Sequence, residues 1–375
     1  MTTPADSAAA RQRAAVPAAG TTATRRRTTV PAADAEAAAA RLGRRWNDLR
    51  NARVFLSGGT GFVGTWLLST LCAANRLHGL DLRVVVLSRD PAAFACAAPD
   101  LAGDAAVELH AGDVRDFTWP AGRFTHVIHA AACSDAAFVS SHPAETRATI
   151  VEGTSRVLEM CRAGGVSRLL ALSSGAVYRQ GGRRRPLTED DALCEIDPQD
   201  ATRAYHHAKL RMESLVLAAG ACGGPAVAVA RMFSFVGPLL PLDRHFAVGN
   251  FIADALAGGP VTVRGDGTPV RSYLYAADMA AWLCAALLDA RPGWVYNVGA
   301  ERPVTIAETA ALVAAAVSPP VEVRVLRAPV GEGGGGAWYV PDTARARDEL
   351  KLAAWTSLEE AVARTVAWHR EAERS

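Results

Sequence analysis

Residues 53–64 read Arg53-Val54-Phe55-Leu56-Ser57-Gly58-Gly59-Thr60-Gly61-Phe62-Val63-Gly64, and the apolar Trp66-Leu67-Leu68 follows almost at once. A short apolar run that ends in spaced glycines and opens a helix is the strand, turn and helix of a dinucleotide site. Such a turn leaves backbone N–H groups and a helix N-terminus facing a pyrophosphate, and its last glycine lets helix pack closely on strand. Gly58, Thr60, Gly61, Phe62, Val63 and Gly64 are therefore the expected cofactor contacts at this turn.

Outward from this turn the same apolar runs recur at 82–88, 107–110, 126–131, 168–173, 226–231 and 295–299. Helical stretches such as 64–76 and 146–163 lie between most of them. Strands alternating with helices predict a parallel sheet covered on both faces, a Rossmann-like doubly wound α/β fold. After 231 the alternation gives way to Gly/Pro-rich segments with isolated helices near 248–257, 306–317 and 357–369, which predict a smaller C-terminal α/β lobe. The expected division is a dinucleotide-binding domain over 35–235 with a return segment at 276–298, and a substrate lobe from 236–275 and 299–375. Residues 1–34, rich in Ala, Thr, Arg and Pro, read as a disordered tail, and a helix is expected over 35–49. The run 331–336, GEGGGG, reads as a flexible link or a flap over a ligand.

The composition narrows the classes. Half of the 375 residues are hydrophobic and 21% are charged, near the globular mean, so the chain can bury a sizeable core. Forty Lys+Arg against 38 Asp+Glu leave a formal charge of +2, too little to argue for a nucleic-acid partner. No run is apolar enough to span a membrane, and the first twenty residues lack the apolar core of a secretory signal. The seven cysteines form no CxxC pair and no zinc-like cluster. No metal is expected, and reduced thiols in a cytoplasm fit best.

A second constellation carries chemistry. In Tyr205-His206-His207-Ala208-Lys209, Tyr and Lys stand at i and i+4 and so project from one helix face. An ammonium one turn away is expected to stabilise the phenolate and lower the phenol's pKa, making an acid/base pair. Of the forty basic residues only Lys209 and Lys351 are lysine, so a position that merely wanted a cation would carry Arg.

The GxxGxxG turn, Ser173-Ser174-Gly175-Ala176-Val177-Tyr178 after the fifth run, and the Tyr205/Lys209 pair together resemble the extended short-chain dehydrogenase/reductase family, in particular its NAD-dependent nucleotide-sugar epimerase/dehydratase type. The resemblance extends over about 49–369. It implies that Tyr205 moves the proton of a sugar hydroxyl, that Ser174 orients the sugar oxygen, and that Lys209 also holds the nicotinamide ribose. It also implies that Asp113 and Val114 border the adenine and that Ala130 and Ala131 line the nicotinamide path. The cofactor implied is NAD. Arg89, where an acidic residue would grip the adenosine ribose, leaves NADP open.

For the substrate, a nucleotide-diphosphate sugar, the resemblance implies contacts from Ser134, Ser234, Asn250, Arg264 and Arg271. Arg271, in Pro269-Val270-Arg271-Ser272-Tyr273, matches the pyrophosphate arginine. The second phosphate arginine is not where the family places it, and Arg327 or one of Arg183 to Arg185 could supply it. Helices at 146–163 and 202–218 match those that pair in family homodimers.

Dehydratases of the family carry Asp-Glu just after the Ser/Thr, and decarboxylases use a Glu there. Gly175 and Ala176 can move no proton. The sequence therefore favours an epimerase that works through a transient keto-sugar. The alternatives are an NADPH-dependent ketosugar reductase, then a 4,6-dehydratase or a non-catalytic cofactor-binding sensor.

Overall fold

The computed structural model describes residues 29–374 apart from 134, 180, 182, 183, 196, 198, 199 and 329–336. The expected tail up to residue 28, Ser134, Arg183 and the 331–336 glycine run thus lie outside the described residues.

In chain order the first part of the molecule comprises α1 (Ala32–Ala40), β1 (Arg53–Ser57), α2 (Phe62–His78), β2 (Arg83–Ser88), α3 (Pro91–Ala97), α4 (Pro99–Ala102) and β3 (Val107–Ala111). It continues with β4 (His126–His129), α5 (Ala136–Ser141), α6 (Pro143–Gly164), β5 (Arg168–Ser174), α7 (Ala204–Ala221) and β6 (Ala226–Met232). The expected single helix at 35–49 is two elements. Gly43 takes φ +51°, a left-handed conformation that interrupts the α-helix, and a 3-10 helix, Gly43–Leu49, follows. The first helix begins at Ala32, ahead of the expected boundary, because it docks on α2: Ala35, Ala38 and Ala39 are buried.

The strand Trp294–Val298 joins β1 to β6 in one seven-stranded sheet, ordered Trp294–Val298, β6, β5, β4, β1, β2, β3. Every pairing in it is parallel. The order reverses between β1 and β4, the switch point at whose C-terminal end this architecture opens a ligand crevice. The central strands are buried along almost their whole length, as a sheet covered on both faces requires. One apolar core joins α1, α2 and the helix Ala276–Asp289 to one face, with Trp46, Trp66 and Trp282 at its centre. The other core packs α6 and α7 on the opposite face through Ile150, Val157, Met212 and Val216.

The smaller lobe is built of short pairings. Phe235–Val236 runs parallel to Leu274–Tyr275, Val323–Val325 runs parallel to Val261–Val263, and Val270–Arg271 is flanked by Val304–Thr305 and Trp338–Tyr339. This last sheet brings residue 339 back to the mouth of the main sheet.

Candidate active site

At the end of β1 the chain turns through Gly58 at φ +73°. A Cβ there would stand 2.7 Å from the backbone of Ala130 and Ala131, and one on Gly64 would stand 2.1 Å from the Gly58 carbonyl oxygen. Both positions demand glycine, and both hold β1, β4 and α2 tightly together. The first turn of α2 has no side-chain cap, and its N-cap is Gly61. The leading amides of α2 therefore face outward beside Thr60 and Gly61, both exposed, with Phe62 and Val63 half-buried behind them. This is a cradle for a diphosphate, and the residues present fit NAD. Beneath it Ser57 Oγ meets His129 Nδ1 at 2.8 Å, and His129 Nε2 meets Thr154 Oγ1 at 3.0 Å. Burial pushes this imidazole down to about 3, so it stays neutral. The sequence showed it only as one polar residue in an apolar strand.

At the far end of the crevice β2 finishes in Ser88. Asp90 caps α3 by accepting the Ala93 N–H at 2.9 Å, so this carboxylate is spent on the backbone. Arg89 is exposed and lies near enough to Asp113 to help hold its carboxyl below the ordinary range. The main cause of that lowering is Arg115, which grips both carboxylate oxygens of Asp113 at 2.8 Å. Val114 is buried against Gly153 of α6.

The candidate reacting centre, the residues Ser174, Tyr205 and Lys209, lies at the C-terminal end of β5. Tyr205 and Lys209 occupy the first two turns of α7 and share a face, with Lys209 Nζ 5.9 Å from the Tyr205 ring centre. Lys209 is buried, and its Nζ donates to the Leu172 carbonyl at 2.6 Å, which ties the ammonium to β5 just before Ser174. Burial pulls Lys209 down to about 8, against the opposing pull of Glu213. Tyr205 departs from expectation. Its hydroxyl is pushed up to about 12 rather than lowered, because burial outweighs a hydrogen bond with Ser174, and Cys133 adds to the rise. The ammonium is committed to a carbonyl and does not by itself acidify the phenol.

Two features here were not read from the sequence. Tyr339, on the two-residue strand Trp338–Tyr339, seats its hydroxyl against Gly175 and donates to the Met232 carbonyl at 3.5 Å. The signal available was an aromatic residue two positions before the Pro341-Asp342 step. Below the centre, Arg231 forms a buried two-bond pair with Glu213, at 3.0 and 2.8 Å, and lies over the Tyr178 ring, fixing α7 to β6.

On the lobe side, Arg271 pairs in register with Tyr339, and its guanidinium lies 5.6 Å from that ring centre. One nitrogen, Nη1, donates to the Val270 and Ala337 carbonyls at 2.9 and 3.0 Å, leaving the rest of the fork for a ligand. Ser234 is half-buried beside this strand, and its carbonyl accepts the Leu274 N–H at 3.1 Å. Asn250, on the helix Ala247–Leu256, contacts the loop before it: with its amide oriented to suit its neighbours, the nitrogen donates to the Arg244 and Leu242 carbonyls at 2.8 and 3.0 Å. Arg244 of that loop pairs with Asp135, joining the lobe to the segment after β4. Arg264 and Arg327 are exposed, and Arg185 is engaged by Asp191 at 2.5 Å.

Three comparisons place this arrangement among known proteins. The model of the NAD dependent epimerase/dehydratase family matches residues 54–299. UDP-glucuronic acid decarboxylase 6 of Arabidopsis thaliana is 27% identical over 276 residues, 74% of this chain and 77% of that protein. The dTDP-glucose 4,6-dehydratase of Streptomyces antibioticus is 26% identical over 321 residues, 85% of this chain and 92% of that protein. Among solved structures, UDP-glucose 4-epimerase of Thermotoga maritima with UDP-glucose superposes with TM-score 0.70 at 22% identity, covering 85% of this chain and 99% of that one. MoeE5 in complex with UDP-glucose and NAD superposes with TM-score 0.68 at 25% identity, over 86% and 99%. No helix among the described residues is long and apolar enough to cross a membrane.

Proposed function

Because the chain belongs to the NAD dependent epimerase/dehydratase family, and is thus an NAD-dependent enzyme, we propose that it epimerises a nucleotide-diphosphate sugar through a transient keto-sugar. The observation that carries this reading is the pair of positions after Ser174. Gly175 is packed against Tyr339 and Phe233 with no room for a side chain, and Ala176 cannot move a proton. By the family resemblance, dehydratases and decarboxylases carry a carboxylic group at these positions. Oxidation and re-reduction at one carbon needs none.

NAD, when bound, supplies the hydride acceptor and donor of this reaction. The remaining work belongs to the chain. Tyr205 takes the proton of the sugar hydroxyl and returns it, Ser174 fixes the oxygen, and Lys209 keeps a positive charge beneath the phenol. Arg271 holds the diphosphate, and Ser134, Ser234, Asn250 and Arg264 are the further substrate contacts of this reading. Adenine binding by Asp113, nicotinamide contacts from Ala130 and Ala131, homodimer formation through α6 and α7, and residence in the cytoplasm belong to the same proposal.

A second reading, an NADPH-consuming ketosugar reductase, is favoured by one observation: Asp90 is used as a helix cap, and Arg89 stands where a ribose-binding carboxylate would. The nucleotide released on denaturation, followed by an NMR screen of diphosphosugars of all five bases, separates the two. Tightly held NAD and a sugar inverted at one carbon support the epimerase. Exchangeable NADPH consumed one for one with sugar supports the reductase.

A further inference from the structure

We propose that His129 is a positioning residue for the nicotinamide half of the cofactor: held with its proton on Nε2 between Thr154 and Ser57, it presents the Ser57 oxygen to the Ala131 N–H and so fixes the exit of β4 against the glycine turn. The inference rests on the placing of the nicotinamide beside Ala130 and Ala131.

Ser57 and His129 end β1 and β4 and are the last pair in register of that parallel ladder. Two further bonds tie the chain beyond them. The Ser57 carbonyl accepts the Ala130 N–H at 3.1 Å, and Ser57 Oγ accepts the Ala131 N–H at 3.3 Å. The glycine turn closes on this same backbone, since a Cβ on Gly58 would stand 2.7 Å from both the Ala130 carbonyl carbon and the Ala131 nitrogen. From the other side Thr154 of α6 meets His129 Nε2 at 3.0 Å, so three elements converge on one ring. Ser57, His129 and Thr154 are all buried.

Counting protons fixes every direction in this chain. Thr154 Oγ1 and the Ile150 carbonyl oxygen stand 2.6 Å apart, too close for two oxygens unless the hydroxyl proton lies between them. Thr154 can therefore only accept from His129, and Nε2 carries the ring proton. A second ring proton is opposed by burial and by the charge of Lys209. Nδ1 is thus bare and takes the Ser57 proton across 2.8 Å, which leaves the Ser57 lone pairs to the Ala131 N–H. Each side-chain polar atom of the chain has a partner, and a buried network satisfied throughout holds a single arrangement.

Two measurements test this. In the 15N–1H spectrum of the histidine side chains, the ring whose signals move in both Ser57→Ala and Thr154→Val should show a protonated Nε2 and a bare Nδ1 throughout the range where an ordinary imidazole protonates. A bare Nε2 or a doubly protonated ring in that range overturns the proposal. The second measurement is competition between NAD and ADP-ribose, which lacks only the nicotinamide, for the purified protein. The ratio of the two affinities removes any loss common to both, as general destabilisation would give. Ser57→Ala should shift the ratio about tenfold towards ADP-ribose, the worth of one buried hydrogen bond. His129→Leu should do the same, with no further shift when it is added to Ser57→Ala. Should His129→Leu fail to fold, Ser57→Ala, which removes a single hydroxyl, carries the test. An unchanged ratio, or shifts that add, overturns the proposal. Because no sugar is present, failure of the epimerase reading shows separately, as absent sugar conversion.

Discussion

At the scale of single residues, Lys209 sets the most direct pH expectation. Its buried ammonium titrates near 8 rather than near its ordinary value of 10.5. The charged form is therefore penalised in the fold at low pH, and the penalty is relieved as pH rises from about 8 to 10.5. Activity that depends on the ammonium moves in the opposite sense. The kcat/KM profile of the wild type should fall as pH rises through about 8, and Lys209→Met should be slow throughout with that limb absent. A profile flat to pH 10 or so would contradict the role given to Lys209. Arg271 calls for a different experiment, since the role proposed for it is to grip the part of the substrate that does not react. Arg271→Ala should raise KM by about ten- to a hundredfold, the worth of one or two charge-assisted hydrogen bonds, with kcat nearly constant. An unchanged KM in steady-state kinetics would remove Arg271 from the site.

At the scale of elements, the glycine turn joins β1 to α2 at positions where no side chain fits. Gly58→Ala imposes a positive φ on alanine and a contact of 2.7 Å with the strand end at Ala130. That costs about 1–3 kcal/mol, and a tenfold or greater weakening of NAD binding by calorimetry is expected. This turn was legible in the sequence because strand, glycines and helix signal one another locally, and the alternation of apolar runs did the same for the parallel sheet. The break at Gly43 was not legible: the flanking residues keep a helical pattern on both sides, and only the backbone reverses hand. The lobe resisted for a related reason. Strands of two residues, such as Val270–Arg271 and Trp338–Tyr339, are too short to show a period, so Tyr339 gave no sign that it packs beside Gly175. The raised Tyr205 is a third case: helical spacing placed Lys209 under the phenol correctly, but spacing says nothing of burial.

At the scale of the whole molecule, α1 is tied to the helix Leu358–Arg374. Asp34 of α1 is buried, accepts the Tyr275 hydroxyl at 2.6 Å and pairs with Arg364 of the helix Leu358–Arg374 at 2.6 Å. Asp34→Ala leaves a buried phenol without its acceptor, a loss of about 1–3 kcal/mol. It should lower Tm by several degrees in a thermal melt and leave kcat unaltered, because the clamp touches none of the reacting groups. A lowered kcat at full folding would instead mean that α1 reports to the crevice.

The central claim is that Tyr205 and its neighbours serve a reversible hydride transfer at one sugar carbon. A nucleotide sugar found in the NMR screen, deuterated at the carbon that inverts, tests it. The product should keep its deuterium at that carbon, with inverted configuration, and Tyr205→Phe should slow conversion by about 10²–10⁴-fold. Replacement of the deuterium by a solvent proton, or undiminished conversion by the variant, would contradict the account.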